Sequence, residues 1–330
     1  MADIETTKNH IIASSNNIAP PSQSKLPCSV GQILAIVLPI AALGLFTAIF
    51  VPIYVVNKKN DEKLKVIVLR SNDTSNQTEE YDEFEENITN LINATLTPKD
   101  GYDNILIFLG GINDIANKYF DFFKSNSTFV PKGTKIYSLS GPPRQMQFMI
   151  DYYNYTNPVP GWFNIAANGS LMPVEHDFTE AKVSLNYVLD EIDRIKNYEN
   201  IDYKNIYLSG FSQGGMMTNY ILLNSRHQLG GYIVFSGSVF DHDFLENSVI
   251  YDMTSEQISK LKSKEDYHIL AAHSFNDDAV FYPIAGPSYQ TYYINYTDFK
   301  LLSFGAIRHV FREQPTHPYV KKWLKESMGK

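Results

Sequence analysis

Residues Asn205 to Gly215 read Asn-Ile-Tyr-Leu-Ser-Gly-Phe-Ser-Gln-Gly-Gly, and the chain continues with Met216, Met217, Tyr220, Ile221 and Leu222 at helical spacing. An apolar, strand-like run that turns sharply into a helix leaves few architectures open, because strand and helix must pack against each other across the turn. Glycines two residues before and two after Ser212 suit that packing, since a Cβ at either place would meet neighbouring backbone. The turn sets the Ser212 hydroxyl at its apex, before a helix N-terminus whose free N–H groups favour developing negative charge. Taken alone the pattern is weak: glycine and serine at this frequency produce it by chance in about one chain in a dozen. The competing reading is a turn whose serine only caps the helix.

The order of the surrounding segments separates these readings. From Asn104 onward strand and helix patterns alternate, the mark of a mostly parallel sheet covered on both faces. Strands are expected at 105–109, 135–139, 205–208, 232–235, 267–271 and 299–304. Helices are expected at 179–197, 213–224, 255–263 and 319–325, the first with Val183, Tyr187, Val188, Ile192 and Ile195 on its apolar face and Asp177 to Glu180 as a capping box.

A serine hydroxyl is a poor nucleophile at neutral pH and needs a base, a group that orients the base, and donors for the oxyanion. After the strand ending at Ala272, a loop delivers the adjacent carboxylates Asp277 and Asp278. After the strand ending at Phe304, the next loop carries His309; the rival His317, between Thr316 and Pro318, reads as part of the turn before the last helix. Upstream, Gly110-Gly111-Ile112-Asn113-Asp114 follows a strand, so the Ile112 N–H and the Gln213 N–H are the expected oxyanion donors.

Composition narrows the classes. The 330 residues are 44% apolar, enough for a substantial core. A net charge of −8 without a long basic block argues against a nucleic-acid partner. With Cys28 as the one cysteine and eight scattered histidines, neither a disulfide nor a metal site is expected, and no cofactor motif is present.

Organisation is expected as a polar tail over 1–32, an uncharged apolar run over 33–56 read as one transmembrane helix, a linker over 57–103, and a catalytic domain over 104–330. The linker holds an early strand at 64–69, and its part from Ser71 to Gly101, acidic and rich in Asn and Thr, reads as a solvated surface segment. Lys58, Lys59, Lys63, Lys65 and Arg70 after the span favour a cytoplasmic C-terminal domain. Eight glycosylation sequons, at Asn72, Asn76, Asn87, Asn93, Asn126, Asn154, Asn168 and Asn295, favour a lumenal or extracellular one, because chance supplies only about three or four. The excess tips the expectation to the lumenal side.

The segments Phe108 to Asp114, Pro160-Gly161-Trp162-Phe163-Asn164-Ile165, Gly210 to Gly215, His273 to Val280, and His309 resemble the phospholipase/carboxylesterase family that includes the acyl-protein thioesterases. The resemblance spans about residues 104–325 and implies an α/β-hydrolase fold. By position it makes Ser212 the nucleophile, Asp277 the acid, His309 the base, Ile112 and Gln213 the oxyanion donors, and Trp162 and Phe163 the border of an acyl-binding groove. Gly110-Gly111 stands where the family usually has His-Gly. The expected activity is hydrolysis of carboxylic esters or acyl thioesters, with a lipid or a lipidated protein at a membrane as substrate. The competing classes are an inactive binding protein and a serine peptidase of the same fold.

Overall fold

The computed structural model describes residues 53–56, 84–125, 129–239 and 267–329, except 89, 91, 168–172, 177, 226, 294–297 and 306. In chain order the strands are β1 (Ile53–Val56), β2 (Phe84–Ile88), β3 (Asn93–Pro98), β4 (Asn104–Leu109), β5 (Thr134–Leu139), β6 (Pro143–Arg144), β7 (Val159–Pro160), β8 (Ile165–Ala167), β9 (Pro173–His176), β10 (Ile206–Phe211), β11 (Gly231–Phe235), β12 (His268–Ser274) and β13 (Asp298–Phe304). The helices are α1 (Phe120–Ser125), α2 (Gln147–Tyr153), α3 (Phe178–Tyr198), α4 (Gln213–Asn224), α5 (Tyr282–Tyr293) and α6 (His317–Ser327). Nine strands make one sheet in the order β1-β13-β12-β11-β10-β4-β5-β3-β2, while β6–β7 and β8–β9 form two small ladders. Strands β13, β12, β11, β10, β4 and β5 are parallel, and β1, β3 and β2 pair antiparallel.

The central strands are buried on both faces, which explains why they read as unbroken apolar runs. Along β4 the side chains alternate between two cores. Ile105, Ile107 and Leu109 join the core beneath α3 and α4, whereas Leu106 and Phe108 join one formed with α1 and α6. The second core is a knot of rings: Phe108, Phe122, Phe123, Phe129 and Phe235 all lie 5.0–6.2 Å from Phe311. Such pairs contribute about 0.5–1.5 kcal/mol each beyond their area burial.

Several expectations need correction. Ile53–Val56, the last four residues of the apolar run read as a membrane helix, form β1 and pair with Leu301–Phe304. Ile-Tyr-Val-Val is β-branched and aromatic, and the ladder satisfies its backbone groups. Residues 33–52, the strand expected at 64–69, and the helix expected at 255–263 lie outside the described residues. Among the described residues no helix is long and apolar enough to cross a membrane. The segment read as a solvated surface stretch contains β2 and β3, so the sheet begins upstream of residue 104. In β3 the buried Ala94, Leu96 and Pro98 alternate with Asn93, Thr95 and Thr97, and the Asn/Thr face disguised the strand as loop composition. On α3 the buried stripe is Ala181, Leu185, Val188, Ile192 and Ile195, at steps of four and three residues; Val183 falls off that stripe and is exposed. The sequon residues Asn87 and Asn154 are exposed, while Asn93 sits in β3 with its amide oxygen taking the Tyr187 hydroxyl.

Close approach of backbone explains the two glycines around Ser212. A Cβ on Gly210 would stand 2.2 Å from the Gly214 carbonyl oxygen, and one on Gly214 would stand 2.2 Å from that of Leu109. Backbone cannot yield as a side-chain tip can, so Gly210→Ala is expected to lower unfolding stability by about 2–4 kcal/mol in urea titration. A loss under about 0.5 kcal/mol, the scale of a harmless surface change, would show that strand and helix separate freely here.

Candidate active site

Three loops at the C-terminal ends of β10, β12 and β13 bring Ser212, Asp277 and His309 together. Ser212, between β10 and α4, holds φ 57 and ψ −122, a strained conformation for a residue with a Cβ. Its side chain makes no capping hydrogen bond to α4, so the capping alternative does not describe this serine. Instead Ser212 Oγ is 2.7 Å from His309 Nε2. His309 Nδ1 lies 2.9 Å from each Asp277 oxygen. A carboxylate only accepts, so Nδ1 carries the proton and Nε2 is left to accept from the serine hydroxyl. The imidazole also stacks on Phe211, with ring centroids 4.8 Å apart, which fixes its plane.

The two adjacent carboxylates have different jobs. Asp277 is buried, and its Oδ1 also accepts the N–H groups of Ala279 (3.0 Å) and Val280 (2.7 Å). Burial raises its pKa, but the hydrogen bond and charge of His309, the nearby His273 and the Val280 N–H outweigh it and hold the carboxyl below its ordinary value. Asp278 is exposed and accepts the backbone N–H of His309 at 3.2 Å. Beneath the loop His273 is fully buried, with Nε2 2.7 Å from the Val280 carbonyl oxygen and 3.5 Å from Asp277 Oδ2. Burial is the main cause that lowers its pKa, which keeps it neutral as a donor to that carbonyl.

Opposite the serine, the loop after β4 is pinned from three sides. The buried Asp114 accepts the Gly111 N–H at 2.8 Å and the Tyr119 hydroxyl at 2.8 Å, and pairs with Lys118. Asn113 takes a left-handed conformation at φ 62, and its N–H donates to the Pro160 carbonyl oxygen at 2.8 Å. Gly111 lies against the serine, because a Cβ there would be 3.2 Å from Ser212 Cβ. Among the described residues, the Ile112 N–H has no protein acceptor. The Gln213 N–H opens α4, where intrahelical partners are lacking by geometry. Two unclaimed amides thus sit on the segments that flank Ser212. The anchoring role of Asp114 was missed in the sequence, although a carboxylate three residues past a Gly-Gly turn is a recognisable local acceptor.

Trp162 and Phe163, expected at the border of a substrate groove, are instead completely buried. The Gln213 side chain clamps them: Oε1 accepts the Trp162 N–H at 2.8 Å and Nε2 donates to the Phe163 carbonyl oxygen at 2.6 Å. Trp162 Nε1 donates to the Gly110 carbonyl oxygen at 2.8 Å. These residues therefore brace, from within the core, both segments on which the oxyanion donors are expected.

His317 takes no part in the serine's hydrogen-bond chain and sits among Phe122, Phe129, Phe235 and Phe311. Its Nε2 is buried without a partner, and burial pushes its pKa down to about 3. The neutral ring belongs to the fold and the unfolded chain takes the proton first. Stability from this residue is therefore complete above pH 6.5 and is lost as pH falls from there towards 3, by up to about 5 kcal/mol. His317→Leu is expected to flatten urea-measured stability between pH 6.5 and 4; an unchanged slope would place the acid sensitivity elsewhere.

Comparison with known proteins adds family context. A family model described as Phospholipase/Carboxylesterase matches residues 90–277. An acyl-protein thioesterase 1 of Cryptococcus neoformans is 25% identical over 255 residues, covering 73% of this chain and 99% of the relative. An acyl-protein thioesterase 1 of Kluyveromyces lactis is 34% identical over 82 residues, which is 24% of this chain and 34% of the relative. Among solved structures, acyl-protein thioesterase 2 of Zea mays superposes with a TM-score of 0.54 at 17% identity, covering 72% of this chain and 99% of the other. The Bacillus cereus carboxylesterase gives 0.53 at 13% identity, covering 71% and 93%. At these identities the structural likeness establishes the α/β-hydrolase fold.

Proposed function

This chain belongs to the phospholipase/carboxylesterase family, and from that premise we propose that it is a membrane-anchored serine hydrolase of carboxylic esters or acyl thioesters. The observation that carries the reading is the continuous hydrogen-bond chain from Ser212 Oγ through His309 to Asp277, flanked by two unclaimed amides. In the proposed reaction His309 Nε2 takes the serine proton as Oγ attacks the acyl carbonyl carbon. The Ile112 and Gln213 N–H groups receive the tetrahedral oxyanion, with the dipole of α4 behind them. His309 then protonates the leaving alcohol or thiol as the acyl-enzyme forms. Water, activated by the same imidazole, attacks that acyl group and releases the acid. Asp277 holds the imidazole in the tautomer that keeps Nε2 free and stabilises its transient charge.

Anchoring is proposed from the uncharged run Ile33 to Pro52, whose 20 residues meet the length of a spanning helix once β1 has taken the remainder. A lipid or a lipidated protein in the same membrane is the corresponding substrate class. The test is a series of acyl esters and thioesters of graded chain length, assayed on the full chain in detergent. Turnover of at least one ester or thioester series is expected, and the absence of turnover across the series would overturn the reading. A truncated form must begin before Ile53, because a start beyond it removes the β1 edge of the sheet.

A further inference from the structure

Strand β1 runs antiparallel to β13, with Ile53 opposite Phe304 and Val56 opposite Leu301. The first residue of β1 therefore lies at the C-terminal end of the parallel strands. That is the end from which the loops bearing Ser212, Asp277 and His309 emerge. The uncharged run Ile33 to Pro52 joins the fold directly there, with no intervening residue between Pro52 and the first ladder position. The chain thus enters the sheet at its catalytic end rather than at the opposite one.

A second observation concerns the same end. Seven large apolar side chains are exposed among the described residues: Ile115, Tyr153, Tyr155, Val183, Tyr198, Phe275 and Ile284. Five of them follow C-terminal strand ends. Ile115 is in the loop after β4, Tyr153 and Tyr155 are in the excursion after β5, and Phe275 and Ile284 are in the loop after β12 and the first turn of α5. The other two, Val183 and Tyr198, are on α3, the helix that carries the excursion after β5 back to the start of β10. Apolar groups gathered at one end, with tyrosines among them, suit the boundary between acyl chains and headgroups.

We propose that the catalytic end of the sheet docks on the bilayer that holds the upstream run, with Ile115, Phe275 and Ile284 entering its interface and Tyr153 and Tyr155 at headgroup level. This rests on the anchored-hydrolase reading above and adds the orientation: the serine faces the lipid surface, so its acyl substrates arrive from the membrane plane. A sheet joined to the run at its other end would present the serine away from the lipid.

The experiment uses the full chain in phosphatidylcholine vesicles carrying brominated acyl chains. Tryptophan is introduced separately as Phe275→Trp, Ile284→Trp and, at the far end of α3, Tyr198→Trp. The native Trp162 and Trp323 are buried and form a constant background. The added emission at 275 and 284 is expected to fall by about half, since interfacial groups sit within reach of the bromines, and that at 198 to stay unchanged. Ile284→Asp is expected to cut hydrolysis of a vesicle-embedded long-chain ester about ten-fold, or about 1.4 kcal/mol, while a soluble short-chain ester is turned over as before. Equal quenching at all three positions, or quenching at 198 alone, would overturn the docking. So would a glycan found on Asn154, between the two tyrosines. If vesicle flotation or short-chain turnover of the unmodified chain fails, the anchored-hydrolase reading falls and the docking falls with it. If both hold and quenching is absent, only the docking falls.

Discussion

Ser212→Ala is expected to lower kcat for any acyl ester that the protein hydrolyses by about ten-thousand-fold or more, and to abolish labelling by a fluorophosphonate. In the proposed reaction this hydroxyl forms the acyl bond, and among the described residues no other hydroxyl lies in its hydrogen-bond chain with His309 and Asp277. Residual hydrolysis would come from oxyanion stabilisation and binding alone. The fold should be untouched, because the Ser212 side chain caps nothing and its N–H bond to the Phe235 carbonyl oxygen (2.9 Å) is a backbone contact. A melting temperature within about 2 °C of the parent is expected, corresponding to less than about 1 kcal/mol in a domain of this size. Labelling that persists in the alanine variant would sink the assignment of the nucleophile.

Asp277→Asn should be nearly as damaging, at about 10³–10⁴-fold in kcat, whereas Asp278→Asn should stay within about three-fold. The contrast follows from geometry. An amide at 277 can turn its NH2 towards His309, which moves the imidazole proton to Nε2 and removes the acceptor that Ser212 needs. At 278 the carboxylate is exposed and, among the described residues, touches only the His309 backbone N–H and, at 3.6 Å, the exposed Arg308. Steady-state kinetics of the two variants at one pH decide it. Equal losses would mean that the loop is held as a unit and that the acid's identity is not confined to the buried position.

Legibility in the sequence followed the physics of each element. Strands buried on both faces announced themselves as apolar runs, and Ser212, Asp277 and His309 were found because each ends or follows such a run. Strand β3 hid because one of its faces is Asn and Thr. Helix α5 hid because Gly286 and Pro287, which ordinarily break a helix, sit inside it. The residues themselves did not distinguish Asp277 from Asp278, which are neighbours in a loop; depth does. Trp162 and Phe163 were placed at a groove by the resemblance, which locates their segment along the chain but not the side of a wall that the rings occupy. Their hydrogen bonds to Gln213 and Gly110 could be known only once two turns, each 50–52 residues away in sequence, had been placed beside them.

Gln213 leads to a separate conclusion about mutability. The oxyanion donor proposed there is a backbone N–H, which nearly every amino acid would provide, so catalysis alone leaves the side chain at 213 unconstrained. The glutamine is fixed from the other direction, by an amide that must accept from Trp162 and donate to Phe163 at once. A screen that judged position 213 by activity would therefore record folding defects as catalytic ones. Attempts to redirect acyl preference should leave this residue unaltered and vary Ile112, which offers the same kind of donor with a side chain less deeply committed to the core.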